Sequence, residues 1–469
     1  MAEKYDAIVV GAGPAGIFAS LEMCLAGLNV LLLDKGKEID KRVCPLQKKG
    51  DRCRLCRPCH LVSGFGGAGA FSDGKLTLSP RVGGHLEELI GFKQSELLID
   101  YVDKIYLDFG APHRVYGEAE NLEEQEGRAR AVGLKLNPSR LRHMGSDVGR
   151  QVLSRMREHL GSRIKIVLEQ TVKDLVVKDG AIAAVMTEDG ERLACEHLIL
   201  APGREGSEWL TEQSRQLQLE VKSNPVDIGV RVEIPMEIME EFTSTLYEPK
   251  LEYFSRSFDD RVRTFCVCPG GEVIMESTGG ADPVITTNGF SYSEPKTRNT
   301  NFALLVSTSF TEPFRDSIAY GKSLARLANL LGGGVLVQRF GDLMKGHRST
   351  QARLRNNPMK PSLEAATPGD LSFALPFRYL QGIIEMIYAL DGLMPGVALP
   401  STLLYGAEVK FYSSRLKLSR CMETGVKNMF AAGDGAGVSR GLVQASASGV
   451  LAGREVLRRM GKGSSTPGY

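Results

Sequence analysis

The sequence predicts an α/β protein in which a doubly wound domain, split along the chain, carries an inserted α+β domain. Three observations predict it. The chain opens as an apolar strand, a glycine-rich turn and a helix. A long middle stretch mixes strands with helices and holds much of the proline. Near the C-terminus, an apolar strand ending in Gly-Asp resumes the first pattern. At 469 residues, two connected domains are the default. The first domain is expected over 1–80, 133–206 and 405–469, with a helical insertion at 81–132 and the second domain, for substrate, at 207–404.

The elements follow in order. Ala7-Ile8-Val9-Val10 is a short continuous apolar run, as in a strand buried on both faces of a parallel sheet. Residues 14–25 repeat apolar side chains at Phe18, Leu21 and Leu25, a helical spacing, and Gly27 supplies the stop. Val30-Leu31-Leu32-Leu33 is the second strand. The pattern is helical again from 140 to about 160, then breaks into strands at 164–168, 172–177, 181–187 and 197–200. Asp179-Gly180 and Asp189-Gly190 are tight-turn dipeptides between them. In the middle stretch 228–232, 265–267 and 303–307 read as strands, and the chain closes with a strand at 426–432 and a helix at 442–460.

Composition narrows the function. A formal net charge of +2 gives no electrostatic footprint for nucleic acid. No apolar run approaches the roughly 20 residues of a membrane span. The N-terminus runs straight into a strand, unlike a cleavable signal, so a cytoplasmic location is expected. Nine cysteines in such a chain are not a disulfide framework. Cys24, Cys195, Cys266, Cys268 and Cys421 are dispersed and read as small core or strand residues.

Gly11-Ala12-Gly13-Pro14-Ala15-Gly16 lies between strand and helix, as a Rossmann dinucleotide fingerprint requires. Gly11 allows the tight turn, Gly13 lets backbone approach a pyrophosphate, and Gly16 lets helix pack on strand. The helix N-terminus then offers N–H groups and a positive dipole end to phosphate. Asp34 closes the second strand, 23 positions after Gly11, where a carboxylate accepts ribose hydroxyls, with Lys35 beside it. Gly64-Phe65-Gly66-Gly67-Ala68-Gly69 matches the same pattern but follows no apolar strand and starts no amphipathic helix. It is not a second Rossmann turn, and no dedicated NAD(P)H domain is expected.

The C-terminal segment Met429 to Gly437 is an apolar strand ending in Gly433-Asp434, followed by a helix beginning near Gly441, Leu442 and Val443. It resembles the ribitol-binding segment of the glutathione-reductase-like flavoproteins, which implies FAD, Asp434 on the ribitol and the helix N-terminus facing the pyrimidine end of the flavin. His197 to Gly203 resembles their third motif, with Pro202, between Ala201 and Gly203, in place of the usual threonine. Across nearly its full length the chain resembles the FAD-dependent dehydrogenases of bacteria and archaea that share a Gly-Gly-Ala-Gly-x-Phe-Ser-Asp-Gly-Lys-Leu segment. Here that segment is complete from Gly66 to Leu76, and Phe109-Gly110-Ala111-Pro112, Ile228 to Glu233 and Cys268-Pro269-Gly270-Gly271 match as well. The resemblance implies fold and cofactor, with Gly66, Gly67, Ala68, Gly69, Ser72 and Asp73 near the flavin. It implies no substrate.

One departure from that family is Cys44-x8-Cys53-x2-Cys56-x2-Cys59, four cysteines in sixteen positions. Its two overlapping two-residue spacings resemble the start of a bacterial ferredoxin motif and point first to a 4Fe-4S cluster. Zinc comes second, and redox-active or buried thiols third. Lys48, Lys49, Arg52, Arg54 and Arg57 interleave them, as a solvated loop or as a docking surface for an acidic, ferredoxin-like electron carrier. Lys75, Arg440 and Lys410 are the catalytic candidates, each equally readable as an ion-pair residue; His347 reads as a loop residue. The expected function is hydride transfer between a small organic substrate and flavin. A flavin monooxygenase and an electron-transfer or RNA-modification partner are the alternatives.

Overall fold

The computed structural model describes residues 4–45, 56–118, 121–222, 224–277, 282–292, 297–308, 310, 316–411, 413 and 415–463. Its first sheet has seven strands. Lys165–Val167, Val30–Leu33, Lys4–Val10 and Arg192–Leu200 run parallel in that order, and Met429–Ala431 pairs parallel with the far end of Arg192–Leu200. The near end of Arg192–Leu200 instead continues antiparallel into Ala181–Thr187 and Val172–Lys178. Asp179 and Gly180, at φ 53° and 74°, make the expected tight turn between those two. Helices Pro14–Met23 and Leu442–Arg459 lie together on one face. The sheet is a Rossmann-type α/β sheet, and the parallel strands end at one edge.

The second sheet has eight strands in the order Thr367–Pro368, Leu336–Arg339, Leu403–Lys410, Val226–Pro235, Asn299–Thr308, Arg261–Pro269, Leu251–Phe254, Lys135–Leu136. Helices Ser317–Gly332 and Phe377–Leu393 bury their apolar faces in its core, through Leu324, Ile383, Met386 and Leu390 among others. The hairpin Glu272–Ser277 and Ile285–Phe290 also packs against this sheet.

Three expectations need correction. Residues 140–143 are not helical: Leu141–His143 is a strand paired with Lys75–Thr77, and the helix is Gly145–Gly161. The boundary drawn at 404/405 moves past Lys410, because Leu403–Lys410 is buried on both faces between Val226–Pro235 and Leu336–Arg339. The stretch 81–132 is divided rather than separate. Leu98, Ile99, Val102 and Tyr106 of helix Phe92–Asp108 join the core around Phe18, whereas Ala129 of helix Leu122–Ala131, with Leu134 and Leu136 beyond it, joins the second core.

Candidate cofactor cradle and domain junction

The carboxyl edge of the parallel strands gathers the glycine motifs. Ala201 N–H donates to Val10 O at 2.7 Å, Gly11 N–H to Leu33 O at 2.7 Å, and Ala432 N–H to Leu200 O at 2.8 Å. Gly11, at φ 106°, lies so close to Ala201 that a Cβ there would collide with its carbonyl. A Cβ on Gly433 would sit 3.0 Å from that of Ala15, and one on Gly435 would meet Pro202 Cγ at 3.0 Å and crowd the Gly203 backbone. Pro202 thus packs against the Gly433-Asp434-Gly435 turn, compatible with the motif despite replacing threonine.

Two helix N-termini open onto this edge. Pro14–Met23 begins at Gly13 and Leu442–Arg459 at Gly441; neither cap residue has a side chain to bond the first N–H groups, and neither first turn is acidic. Such N–H groups and the positive dipole ends suit an anionic ligand. Among the described residues beyond its chain neighbours, a Cβ on Gly13 would meet one atom within 4 Å, Gly67 Cα at 3.8 Å, so the space in front of it is open. These features fit the pyrophosphate and the flavin end of FAD.

The second glycine segment completes the cradle without being a Rossmann turn. Gly67–Phe71 is a short 3-10 helix. Gly66 N–H donates to Ala12 O at 2.8 Å, and a Cβ on Gly69 would lie 2.9 Å from Leu442 Cδ2 and 3.4 Å from Pro14 Cγ. Gly69 and Ala68 therefore sit where the two helices begin. Ser72 Oγ donates to Gly69 O at 2.9 Å and accepts from Gly74 N–H at 3.2 Å, turning the chain toward Asp73 and Lys75.

Asp34 and Arg42 hold this segment down. Asp34 accepts N–H bonds from Ala12, Gly36 and Gly64, each at 2.8 Å. A carboxylate has about four lone-pair sites, so Asp34 retains room for one further donor such as a ribose hydroxyl. Lys35 pairs with Glu205 at 3.5 Å instead of facing open solvent alone. Arg42, 1% exposed, donates to four carbonyls: His60 at 2.9 Å, Phe65 at 2.7 Å, and Leu61 and Gly67 at 2.8 Å. Burial brings its guanidinium down to about 10, against the opposing pull of Asp34. No local sequence pattern marks Arg42 among the basic residues that follow it.

Asp434 accepts from Ser439 Oγ at 2.6 Å and faces Arg204 at 3.6 Å. Burial pushes its carboxyl above the usual range, with Arg204 and Ser439 opposing. Arg440 donates its backbone N–H to Gly83 O at 2.7 Å, and its guanidinium lies 3.3 Å from His85 Nε2. Val443 is buried.

Beyond Ser72 the chain enters a buried polar junction between the two sheets. Lys75 Nζ is 2.8 Å from Asp73 and 3.7 Å from Glu248, donates to Val267 O at 2.5 Å, and lies 4.0 and 3.9 Å from the sulfurs of Cys266 and Cys268. Burial opposes its charge, but Asp73, the two sulfurs and Glu248 hold the ammonium well above its usual range. Tyr247 Oη is 2.8 Å from His143 Nε2, and the two rings stack with centroids 4.1 Å apart. Burial, aided by Lys75, brings His143 down to about 4, so its imidazole is neutral at pH 7. Behind the sulfurs, Arg231, 0% exposed, forms a two-pronged pair with Glu408 at 2.8 and 2.9 Å and donates to Cys266 O at 3.1 Å.

Lys410 belongs to that inner network, 3.2 Å from Glu408 and 3.1 Å from Asn288, not to the cradle edge. Glu408 holds Lys410 and Arg231 in one chain of contacts that reaches Cys266. Cys266 and Cys268, expected as small core or strand residues, lie on strand Arg261–Pro269 with Cys268 buried, and also in the junction; their one-residue spacing on a strand was the available signal. Of the metal candidates, Cys53 lies outside the described residues. Cys44, Cys56 and Cys59 are partly exposed, and among the described residues no three metal-capable groups including them come within 4.8 Å of one another. Also among the described residues, no helix is long and apolar enough to cross a membrane.

The chain is similar to an uncharacterized protein of Clostridium beijerinckii, with 28% identity over 97% of this chain and 81% of that one. A shorter stretch of 53 residues, 11% of this chain and 13% of the other, is 45% identical to ribosomal RNA dihydrouridine synthase of Escherichia coli. Among solved structures, glycerol-3-phosphate dehydrogenase from Bacillus halodurans complexed with FAD aligns over 99% of this chain and 66% of its own, with 10% identity and a TM-score of 0.44. Residues 225–411, which hold most of the second sheet and its helices, match the family described as FAD-dependent protein, C-terminal domain-like.

Proposed function

We propose that the protein is an FAD-dependent oxidoreductase acting on a small organic substrate. The observation that carries this reading is the meeting of Gly11–Gly16, Ala201–Gly203 and Gly433-Asp434 at one sheet edge, between two helix N-termini that no side chain caps. The N–H groups after Gly13 would take the pyrophosphate, and Asp434 a ribitol hydroxyl. The N-terminus after Gly441 would face the pyrimidine edge. Bound there, FAD supplies the acceptor or donor of a hydride. Lys75, Asp73 and Glu248 offer a fixed cation and two carboxylates to a polar substrate, and neutral His143 with Tyr247 offers a site to hold or accept a proton. The test is anaerobic. The purified protein should be yellow, release FAD on denaturation, and lose its visible absorbance when a reducing organic substrate is added. Protein refolded with FAD that remains colourless would sink the reading.

The same reading carries a finer part: electrons leave or arrive through a metal centre on Cys44, Cys53, Cys56 and Cys59, served by a ferredoxin-like carrier. Their spacing supports it, and iron, sulfide and zinc analysis of anaerobically purified protein checks it. Absence of all three would leave a plain flavin dehydrogenase.

A second reading, reduction of uridines in RNA, is favoured by the 53-residue match to the ribosomal RNA dihydrouridine synthase. Unchanged dihydrouridine content in the ribosomal RNA of cells lacking this protein would remove it.

A further inference from the structure

Cys266 and Cys268 have no part in the reading above. They lie on Arg261–Pro269, whose register against Asn299–Thr308 shifts between Phe265 and Cys268, and Cys266 adopts φ 48°. Along an unbroken strand, residues two apart are separated by about 6.7 Å. The bulge instead brings the two sulfurs to 3.8 Å, with Cys268 buried and Cys266 partly exposed. That asymmetry suits an attacking thiol backed by a resolving one.

Two cations, Lys75 and Arg231, favour a thiolate on Cys266, Asp73 opposes it, and Cys268 stays a thiol, held well above its usual range by Cys266 and burial. Lys75 Nζ is 4.0 and 3.9 Å from the two sulfurs, and Cys266 Sγ is 3.4 Å from Asp73. Arg231 bonds the Cys266 carbonyl at 3.1 Å, and Glu248 accepts the Cys266 N–H at 2.8 Å. The hydrogen bond shared with Cys268 lowers the Cys266 thiol below its usual range against burial, and Lys75 adds to the effect. Asp73 and the two sulfurs also lie within 4.8 Å of one another, as metal ligands would. Lys75, 2.8 Å from Asp73, already brings a cation to this group. The charge is met by an ammonium, which leaves the sulfurs to react.

We propose that Cys266 and Cys268 form a redox-active dithiol that reduces a small disulfide compound by thiol–disulfide exchange. The Cys266 sulfur attacks one sulfur of the substrate, a mixed disulfide forms, and the first thiol leaves with the Cys266 proton. Cys268 then attacks the Cys266 sulfur, and the second thiol leaves with the Cys268 proton. One substrate disulfide becomes two thiols, and two protein thiols become one disulfide, so electrons and protons balance. To form the disulfide, the sulfurs must close from 3.8 Å to about 2.05 Å. None of this depends on a bound cofactor.

The experiment uses the full-length protein as purified, equilibrated over a series of oxidised and reduced dithiothreitol mixtures, alkylated, digested and weighed. The peptide following Arg263 should convert reversibly between a doubly alkylated form and an unalkylated form lighter by two hydrogens. With oxidised glutathione, Cys268→Ser should accumulate a mixed disulfide on Cys266 that the parent protein resolves. Both cysteines alkylated throughout the series would overturn the proposal, as would bound zinc that protects both without loss of hydrogen. Released FAD, measured on the same samples, separates this outcome from failure of the flavin reading.

Discussion

Among the described residues beyond its chain neighbours, Gly13 has only Gly67 Cα within 4 Å of where a Cβ would stand, so the fold itself accepts a side chain there, but a bound pyrophosphate does not. Gly13→Val should therefore keep its unfolding midpoint and lose FAD; full FAD occupancy in that variant would move the cradle elsewhere. Asp434 makes the complementary case. Asp434→Ala should weaken FAD binding by about 1.5–3 kcal/mol, the range for a hydrogen bond to a charged group, as read from the flavin Kd. His143 ties stability to pH. Its folded value of about 4 lies below the unfolded value of about 6.5, with Lys75, Asp73, Asp147 and Tyr247 around it. The unfolded chain therefore binds the extra proton first, and stability falls as pH drops from about 6.5 toward 4. Between pH 7 and pH 5 the loss should be about 2 kcal/mol, and His143→Gln should flatten that part of the denaturation profile.

The two helices that open onto the cradle are held in register by small residues. Gly449 of Leu442–Arg459 packs on the backbone of Ala15, so that a Cβ would collide with its carbonyl, and Gly453 packs on Ala19. Close packing fixes where both N–H-rich ends point. Gly449→Val should force the helices apart, cost about 1–3 kcal/mol or more, and lower FAD affinity although it touches no ligand. An unchanged Kd with lowered stability would mean that the ends stay in place when the helices part. The loop from His60 to Gly67 is tied differently, by the four carbonyl bonds of Arg42, whose burial no local pattern announces.

Across the molecule, the join between the two sheets is polar. Asp73 and Lys75 come from the segment leaving the cradle, while Glu248, Val267, Cys266 and Cys268 come from the second sheet and its approach. Removing the ammonium leaves half-buried Asp73 without its cation and, among the described residues, Glu248 with Lys250 alone, 3.0 Å away. Lys75→Met should cost about 3–5 kcal/mol and separate urea unfolding into two transitions. A single transition at the original midpoint would show that apolar packing, not this cluster, unites the sheets.

The order of strand, glycine turn and helix, the Asp-Gly turn at 179–180 and the final helix were legible in the sequence. Each is a local matter: apolar spacing sets which face is buried, and a glycine or an aspartate sets a turn. What the sequence did not disclose is non-local. The strand at 141–143 pairs with residues 75–77, some sixty positions earlier, and the helical spacing that follows ran back over it. Ala407-Glu408-Val409-Lys410, the second half of Leu403–Lys410, alternates apolar and charged as a half-exposed strand would, and only its two neighbours bury it on both faces. Cys266 and Cys268 converge because the partner strand imposes a bulge, and Lys75 reaches them from nearly two hundred residues away. The sequence by itself determined the glycine-rich edge of the parallel sheet, because backbone turns and helix ends build it. Only the tertiary structure decided the junction, because its chemistry lies in charges and sulfurs that become neighbours once both sheets have packed.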